Sequence, residues 1–370
     1  MTLFTDDRLA RPAGRRPRRI GWMLLLLALA GTVIFAMVPS PYVIEQPGPV
    51  YNTLGEIQTE DHGTIPVIEI SGAETFPTEG TLDLLTVNLV GNRRSLPSWL
   101  DVAGALLDPS KAVLPLDSVY PPGRTVEQSN EQSSIDMENS QRDAVAAALT
   151  ELGYLLPTTV TVGSVVEGAP ADGLLEEGDV IRTVNGETAD SVAGLRAIIA
   201  KAGAGVPVQF AITRGGVEQT VPVTPQLSEE AVPAPIVGIA PLISYRFPFE
   251  VTIQLENVGG PSAGQMLALG IIDKLTPGAL NGGEKVAGTG TITAQGDVGS
   301  IGGIRQKLYG ARDAGAAWFL APAANCDEVV GHLPSGLRVV AVSTLDDSLA
   351  ALEAIAAGSG TAELPTCSAG

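Results

Sequence analysis

The apolar and polar positions divide the chain into stretches of different character. Residues 20–38 form an uncharged apolar run of 19 residues, ended by Pro39 and Pro41. A helix of that length crosses a hydrocarbon core of about 30 Å. Residues 39–62 are rich in Pro and Gly and read as an extended stalk. Residues 66–70 and 82–89 are strand-like runs separated by turn residues. Residues 115–135 show little periodicity and read as loop. In residues 137–152, Ala144, Ala147, Ala148 and Leu152 recur at helical spacing before Gly153.

From residue 159 the period changes to two. Thr159-Val160-Thr161-Val162 alternates as a strand, a helix is predicted over 191–202, and two further strands over 206–213 and 219–223. Asn185-Gly186 is a two-residue hairpin signal. After residue 259 comes a helix that is apolar nearly all round, through Met266, Leu267, Ala268, Leu269, Ile271 and Ile272, and such a helix is buried. The pattern predicts a multidomain α+β and α/β chain with one N-terminal membrane helix.

Charge sharpens this picture. The net charge is −19 over 370 residues, yet Arg8, Arg11, Arg15, Arg16, Arg18 and Arg19 all precede the apolar run. The bias puts residues 1–19 in the cytoplasm as a basic tail, residues 20–38 in the lipid bilayer of the cell membrane, and the remainder outside. A secretory signal cleaved at Ala28-Leu29-Ala30 is the alternative, although the apolar run continues through Val33, Ile34 and Phe35. The acidic body disfavours nucleic acid, which needs clustered Lys and Arg. Cys326 and Cys367 can pair in an exported protein or remain two free thiols. A bridge between them would contribute roughly 4 kcal/mol on the chain-entropy model. Two histidines, His62 and His332, make no metal-ligand spacing.

The candidate chemistry lies in Gly259-Gly260-Pro261-Ser262-Ala263-Gly264. Pro261 suits a helix start. Ser262 is thus expected at the mouth of the buried helix, where the backbone at Gly260, Pro261 and Ala263 and the helix dipole face an oxyanion. A serine needs a base. Neither His62, in an acidic polar stretch, nor His332, in a loop, has fitting surroundings. Residues 304–314 read as a helix whose apolar face is Ile304, Leu308, Ala311 and Ala314, with Arg305, Gln306, Tyr309, Arg312 and Asp313 opposite. Lys307 falls on the apolar face. Burial there lowers its pKa toward that of a working base, unless its stem carries the amine out to water.

Two resemblances extend this reading. The pattern "G-x-P-A … L-x-x-G-D-x-I-x-x-V-N-G" across about 70 residues resembles a PDZ domain. That implies capture of a protein or peptide as an added strand beside residues 159–165 (Thr159 and Val160 included), against the helix at 191–202. The carboxylate-binding loop is then expected at Tyr154, Leu155 and Leu156, although Leu156-Pro157 replaces its usual glycine-rich form. A purely structural spacer is the other reading.

The segments "GGPSAGQMLALGIIDKLTPG" and "VAGTGTITAQGDVGSIGGIRQKLYGARDAGA" resemble the proteolytic domain of Lon proteases. The resemblance implies a Ser–Lys dyad of Ser262 and Lys307, with Thr289 holding the lysine. Thr291 stands where the family usually has glutamate. No GxxxxGK[ST] motif occurs, so the ATPase motor, and with it ATP, is not expected. No cofactor or metal is expected either. Lon-type domains often form rings, so a homo-oligomer is a further expectation with no interface legible in the residues. The whole resembles the membrane-anchored PDZ–Lon serine proteases of bacteria. The expected layout is a stalk and first part of the Lon fold over 39–152, a PDZ domain over 153–230, the proteolytic domain over 231–356 and a tail over 357–370, with the PDZ unit inserted in the protease fold. An independent domain over 40–150 is the rival layout. A non-catalytic PDZ adaptor on a dead protease scaffold is the rival function.

Overall fold

A computed structural model of the chain describes residues 16–59, 63–120, 125–189, 192–228, 233–255 and 258–368. Residues 1–15 of the basic tail and His62 lie outside the described residues. The chain opens with helix α1 (Arg16–Met37), which is exposed and includes the apolar span Ile20–Met37. Next come strands β1 (Tyr42–Asn52), β2 (Ile68–Ser71) and β3 (Thr81–Val90), helix α2 (Trp99–Leu106), strand β4 (Ala112–Pro115) and the long helix α3 (Val126–Glu151).

Residues 42–52 are therefore not part of a stalk. β1 is an inner strand, paired antiparallel to β3 on one side and β4 on the other. Its prolines are tolerated because the register shifts between Pro47 and Val50, a bulge that needs no regular ladder bonds. Gly48 is required there, since a Cβ would lie 2.4 Å from Thr86 Oγ1. The stretch 115–135 is not all loop either. α3 starts at Val126 with a capping box in which Thr125 and Gln128 satisfy each other's backbone amides. Its first turns are polar and solvated, which hides the helical period that Ala144 and Ala148 show further on.

A second unit follows. Strands β5 (Thr158–Val165) and β6 (Val180–Val184), helix α4 (Val192–Ala202), and strands β7 (Val208–Arg214), β8 (Val217–Val223) and β9 (Ile239–Tyr245) build one sheet in the order β8-β7-β6-β5-β9. Asn185 and Gly186 both have positive φ, 53° and 78°, as a tight hairpin turn requires. Val160, Ile181, Leu195, Phe210 and Ile212 form a core separate from the rest. The unit runs past residue 230, because β9 supplies its last strand.

The chain then returns. Strand β10 (Glu250–Ile253) pairs with β2. Helix α5 (Gly264–Leu275), strand β11 (Lys285–Gly288), helix α6 (Ile304–Asp313), strands β12 (Trp318–Pro322) and β13 (Arg338–Val342) and helix α7 (Leu345–Ala357) follow. β11, β12 and β13 join the strands of the first part in one six-stranded sheet, β13-β12-β11-β3-β1-β4. β11 lies parallel to both β3 and β12.

Both faces of this sheet are covered, so adjacent residues of its central strands are buried on opposite sides. Leu84, Val286 and Leu320 face α3, α5 and α7, whereas their neighbours Leu85, Ala287 and Phe319 face α6. Cys326 and Cys367 are joined in a disulfide, and beside it the Ala341 amide donates to the Pro365 carbonyl at 2.8 Å. The bridge closes a separation of 41 residues, so the Cys326→Ser/Cys367→Ser double variant is expected to lose roughly 2–4 kcal/mol in denaturant unfolding. An unchanged midpoint would show that the tail contributes nothing.

Candidate active site

α5 and α6 pack on opposite faces of the six-stranded sheet, and their N-terminal ends meet beyond the last residue of β11. Thr289 follows Gly288, the end of that strand, so the strand delivers its hydroxyl between the two helices. Gly288 itself allows the close approach, as a Cβ there would lie 2.5 Å from Met266 Sδ.

Lys307 lies in the first turns of α6, after Gly303, whose positive φ of 69° caps the helix. Its side chain is 1% exposed, and so does not carry the amine to water. Nζ lies 2.8 Å from Ser262 Oγ and donates to Thr289 Oγ1 at 2.9 Å. The Thr289 hydroxyl in turn donates to the Ser262 carbonyl at 2.9 Å, and the Gly290 amide donates to the same carbonyl at 3.0 Å. Thr289 therefore fixes both the amine and the backbone of the serine.

Burial brings the Lys307 amine from its usual 10.5 down to about 7, against the opposing pull of the Glu45 carboxylate. The Glu45 carboxyl is itself pushed up by burial, with Lys307 acting in the other direction. It sits against Gly303, where a Cβ would lie 2.8 Å from Glu45 Oε1. Sequence reasoning missed Glu45 because it falls in the supposed stalk. Gln306, expected on the solvated side of α6, is buried: with its amide turned to suit both neighbours it donates to Glu45 at 3.3 Å and accepts from the Ala112 amide at 3.1 Å. Thr291 lines the cleft, and its Oγ1 lies over Gly299. The acidic group near the amine is thus Glu45, on β1.

The oxyanion expectation needs correction. α5 begins at Gly264, not Pro261, and residues 262–263 form a turn ahead of it. The Gly260 amide donates to the Ser133 carbonyl at 2.8 Å and is not available. Pro261 has no N–H; its carbonyl accepts from Ser140 Oγ at 2.8 Å. Of the three residues named, Ala263 remains, joined by Ser262 itself, and no described residue takes up either amide.

The cleft above Ser262 and Lys307 has a volume of about 770 Å³ and includes Val87, Asn88, Met137 and Ile301. A second hollow of about 740 Å³, lined by Ile253 and Leu255, shares Val87, Met137, Val258 and Gly259 with it. Together they make an elongated groove suited to an extended chain.

The peptide-capture residues are placed differently from expectation. Thr159 and Val160 pair with Ser244 and Ile243 of β9, and Val160 also pairs with Ile181 of β6. Both edges of β5 are filled by the chain itself, so no strand can add there. Tyr154 stacks edge-on against Phe249 at 5.5 Å, Leu156 packs on the core beneath α5, and Leu155 is 94% exposed. Residues 154–156 thus link α3 to β5 and form no carboxylate loop. The open edge of this sheet next to β5 is the outer side of β9. His332 lies after α6 on the far side of the disulfide segment, with Nδ1 3.1 Å from the Glu328 carbonyl, and takes no part in the site.

Comparison with known proteins follows this geometry. Residues 257–354 match the family profile of the Lon protease (S16) C-terminal proteolytic domain, and residues 130–224 match that of the PDZ domain. The latter match starts inside α3, whose Ala144, Ala147 and Ala148 pack in the core with α5; the separate PDZ core begins at Val160. Lon protease 1 of Sorangium cellulosum is 38% identical over 94 residues, 25% of this chain and 11% of that protein. Lon protease 2 of Herpetosiphon aurantiacus is 42% identical over 93 residues, 24% and 11% of the two chains. Lon protease 1 of Bacillus subtilis is 36% identical over 93 residues, 24% and 12%. The chain thus spans about a tenth of the length of these curated relatives. Among solved structures, the PDZ domain of an SdrC-like protein from Listeria innocua aligns at 26% identity and a TM-score of 0.21, covering 22% of this chain and 92% of that one.

A Cβ at Gly264 would lie 2.8 Å from Ser140 Oγ and 2.9 Å from Ile292 Cγ2. Gly264→Ala should therefore push the Ser262 turn away from Lys307. The expectation is a loss of about 1–3 kcal/mol in stability and a fall of tenfold or more in the labelling rate of Ser262 by a fluorophosphonate. Wild-type labelling would contradict the tight packing.

Proposed function

Because the chain joins a Lon-type proteolytic domain to a PDZ domain, we propose that it is a membrane-anchored serine endopeptidase working through a Ser262–Lys307 dyad without ATP. The observation that carries this reading is the buried Lys307 amine 2.8 Å from Ser262 Oγ. A neutral amine there accepts the Ser262 proton and keeps a hydrogen for Thr289. Ser262 Oγ then attacks a peptide carbonyl of a segment lying in the groove, beside residues 253–258. The Ser262 and Ala263 amides receive the oxyanion. The protonated Lys307 gives its proton to the leaving amine, and an acyl-enzyme remains. Water, deprotonated by the same amine, releases the product.

In this reading the protease domain is interrupted by the PDZ unit, since its sheet draws strands from both sides of it. α1 anchors the whole, with the basic residues before it on the cytoplasmic side. Capture of a protein segment falls to the outer edge of β9, the strand that ends this sheet beside β5. β9 runs on into β10 and then to Ser262, so a captured segment starts close to the groove. The GxxxxGK[ST] motif is missing from the sequence, so substrates must offer segments that are already unfolded.

Ser262→Ala and Lys307→Ala should each abolish cleavage of an unfolded protein while keeping the wild-type circular dichroism. Full turnover by either would overturn the dyad, and a wild type that binds but never cleaves would return the chain to the adaptor reading. The pH profile carries a sign. Lys307 acts as the free amine, so kcat/KM should rise with pH through about 7 and level above it. The same group lies below its unfolded value, so the unfolded chain binds the extra proton between about pH 7 and 10.5. Stability from this group therefore rises with pH over that interval, which a series of denaturation midpoints for wild type and Lys307→Met can resolve.

A further inference from the structure

Helix α2 is the most apolar exposed element outside α1, and it is fastened to the end of α1. The Trp99 amide donates to the Val38 carbonyl at 3.2 Å, the Ser40 amide donates to the Pro97 carbonyl at 2.8 Å, and Pro39 bridges Ser98. The Trp99 ring lies 6.1 Å from that of Phe35, which belongs to the apolar span, and 5.8 Å from that of Tyr42. The first residue of α2 is thereby held level with the last turn of the span.

The two faces of α2 differ. Val102 and Ala105 are buried with Ile44. On the opposite face Leu100 is 46% exposed and Leu107, at the C-cap, is 87% exposed, seven residues apart and so in line along the helix. Leu106, 71% exposed, borders them. Asp101 is the sole charged residue from 96 to 107, and its carboxylate is engaged in the capping box with Ser98. The exposed face therefore carries leucine and no charge, an arrangement that water disfavours. Trp99 and Tyr42, brought together from distant parts of the chain, have the residue types that settle at a membrane–water boundary, and Trp22 stands near the other end of the same helix, roughly 24 Å away along its axis.

We propose that α2 lies in the headgroup layer of the bilayer entered by α1, its Leu100–Leu107 face toward the acyl chains, and docks the protease domain on the membrane. This rests on the anchoring reading above. The occupant is lipid because α2 continues the surface of α1 at the level where the span ends. A consequence follows for the substrate. Ile44 packs with α2 and pairs with Val90, and on the same strand Val87 and Asn88 line the catalytic cleft. Three strand residues amount to about 10 Å and the width of α2 adds about as much again, so the groove opens within roughly 20–25 Å of the lipid. The segments it reaches most readily are those just outside the membrane.

The test uses the full chain in phosphatidylcholine–phosphatidylglycerol vesicles. The described cysteines are disulfide-bonded, so one added cysteine can carry a nitroxide. Leu100→Cys and Leu107→Cys are compared with Leu27→Cys in the span and Glu218→Cys on the distant edge strand β8, by collision with oxygen and with a water-soluble nickel chelate. The expected order of oxygen preference is 27 above 100 and 107, and these above 218. Labels at 100 and 107 that behave like 218, with 27 in lipid, would overturn the docking while leaving the anchor. A label at 27 that is open to nickel would remove the anchor, and the docking with it. In the same vesicles, Leu100→Asp/Leu107→Asp should keep wild-type hydrolysis of a soluble peptide and lose about tenfold on a lipid-tethered one. Equal losses on both would also overturn the proposal.

Discussion

The structure depends on keeping one amine dry. Lys307 is buried on the same helix as the core residues Ile304, Leu308 and Ala311, and its Nζ is held between Ser262 Oγ and Thr289 Oγ1. Charging that amine in so apolar a setting is costly: a displacement of three to four pKa units corresponds to roughly 4–5 kcal/mol. In the proposed mechanism that cost has a use, because a free amine near neutral pH is what a serine hydroxyl needs. Glu45 moderates it from the neighbouring strand, so burial and charge act in opposite senses on the same group.

The dry pocket requires both faces of the sheet at once. Ser262 arrives from the side covered by α3, α5 and α7, and Lys307 from the side covered by α6. Thr289 stands at the end of the strand that separates them. No single layer could bring the two together, and the hydrogen bonds of Thr289 to both explain why a hydroxyl belongs at that position. The serine turn is further held from α3, by Ser140 on Pro261 and by the Ser133 carbonyl on Gly260.

How legible was this in the residues? The strands around Leu82 and Val160, the Asn185-Gly186 hairpin and the buried side of α6 follow from local periodicity, and the structure has them. The Lys307 side chain was readable because a lysine on an apolar helical face stands out against its neighbours. β1 was not readable: Pro47, Gly48 and Pro49 break the strand pattern, and only the bulge against Thr86 gives them a place. The start of α3 was hidden by its solvated polar turns. The misplaced peptide edge has a different cause. Local pattern identifies β5 as a strand, but only tertiary pairing shows that β9, distant in sequence, occupies its remaining side. The same holds for Gly260, whose amide looked free until α3 claimed it.

The parallel pairing of β3 with β11 joins residues about two hundred positions apart. During synthesis, β3 emerges long before its partner, and the ribosome must finish the intervening PDZ unit first. The sheet cannot close, and neither serine nor lysine can be placed, until almost the whole polypeptide exists. A chain released before residue 307 would therefore hold no assembled dyad, so in the proposed mechanism activity waits on the completed connectivity.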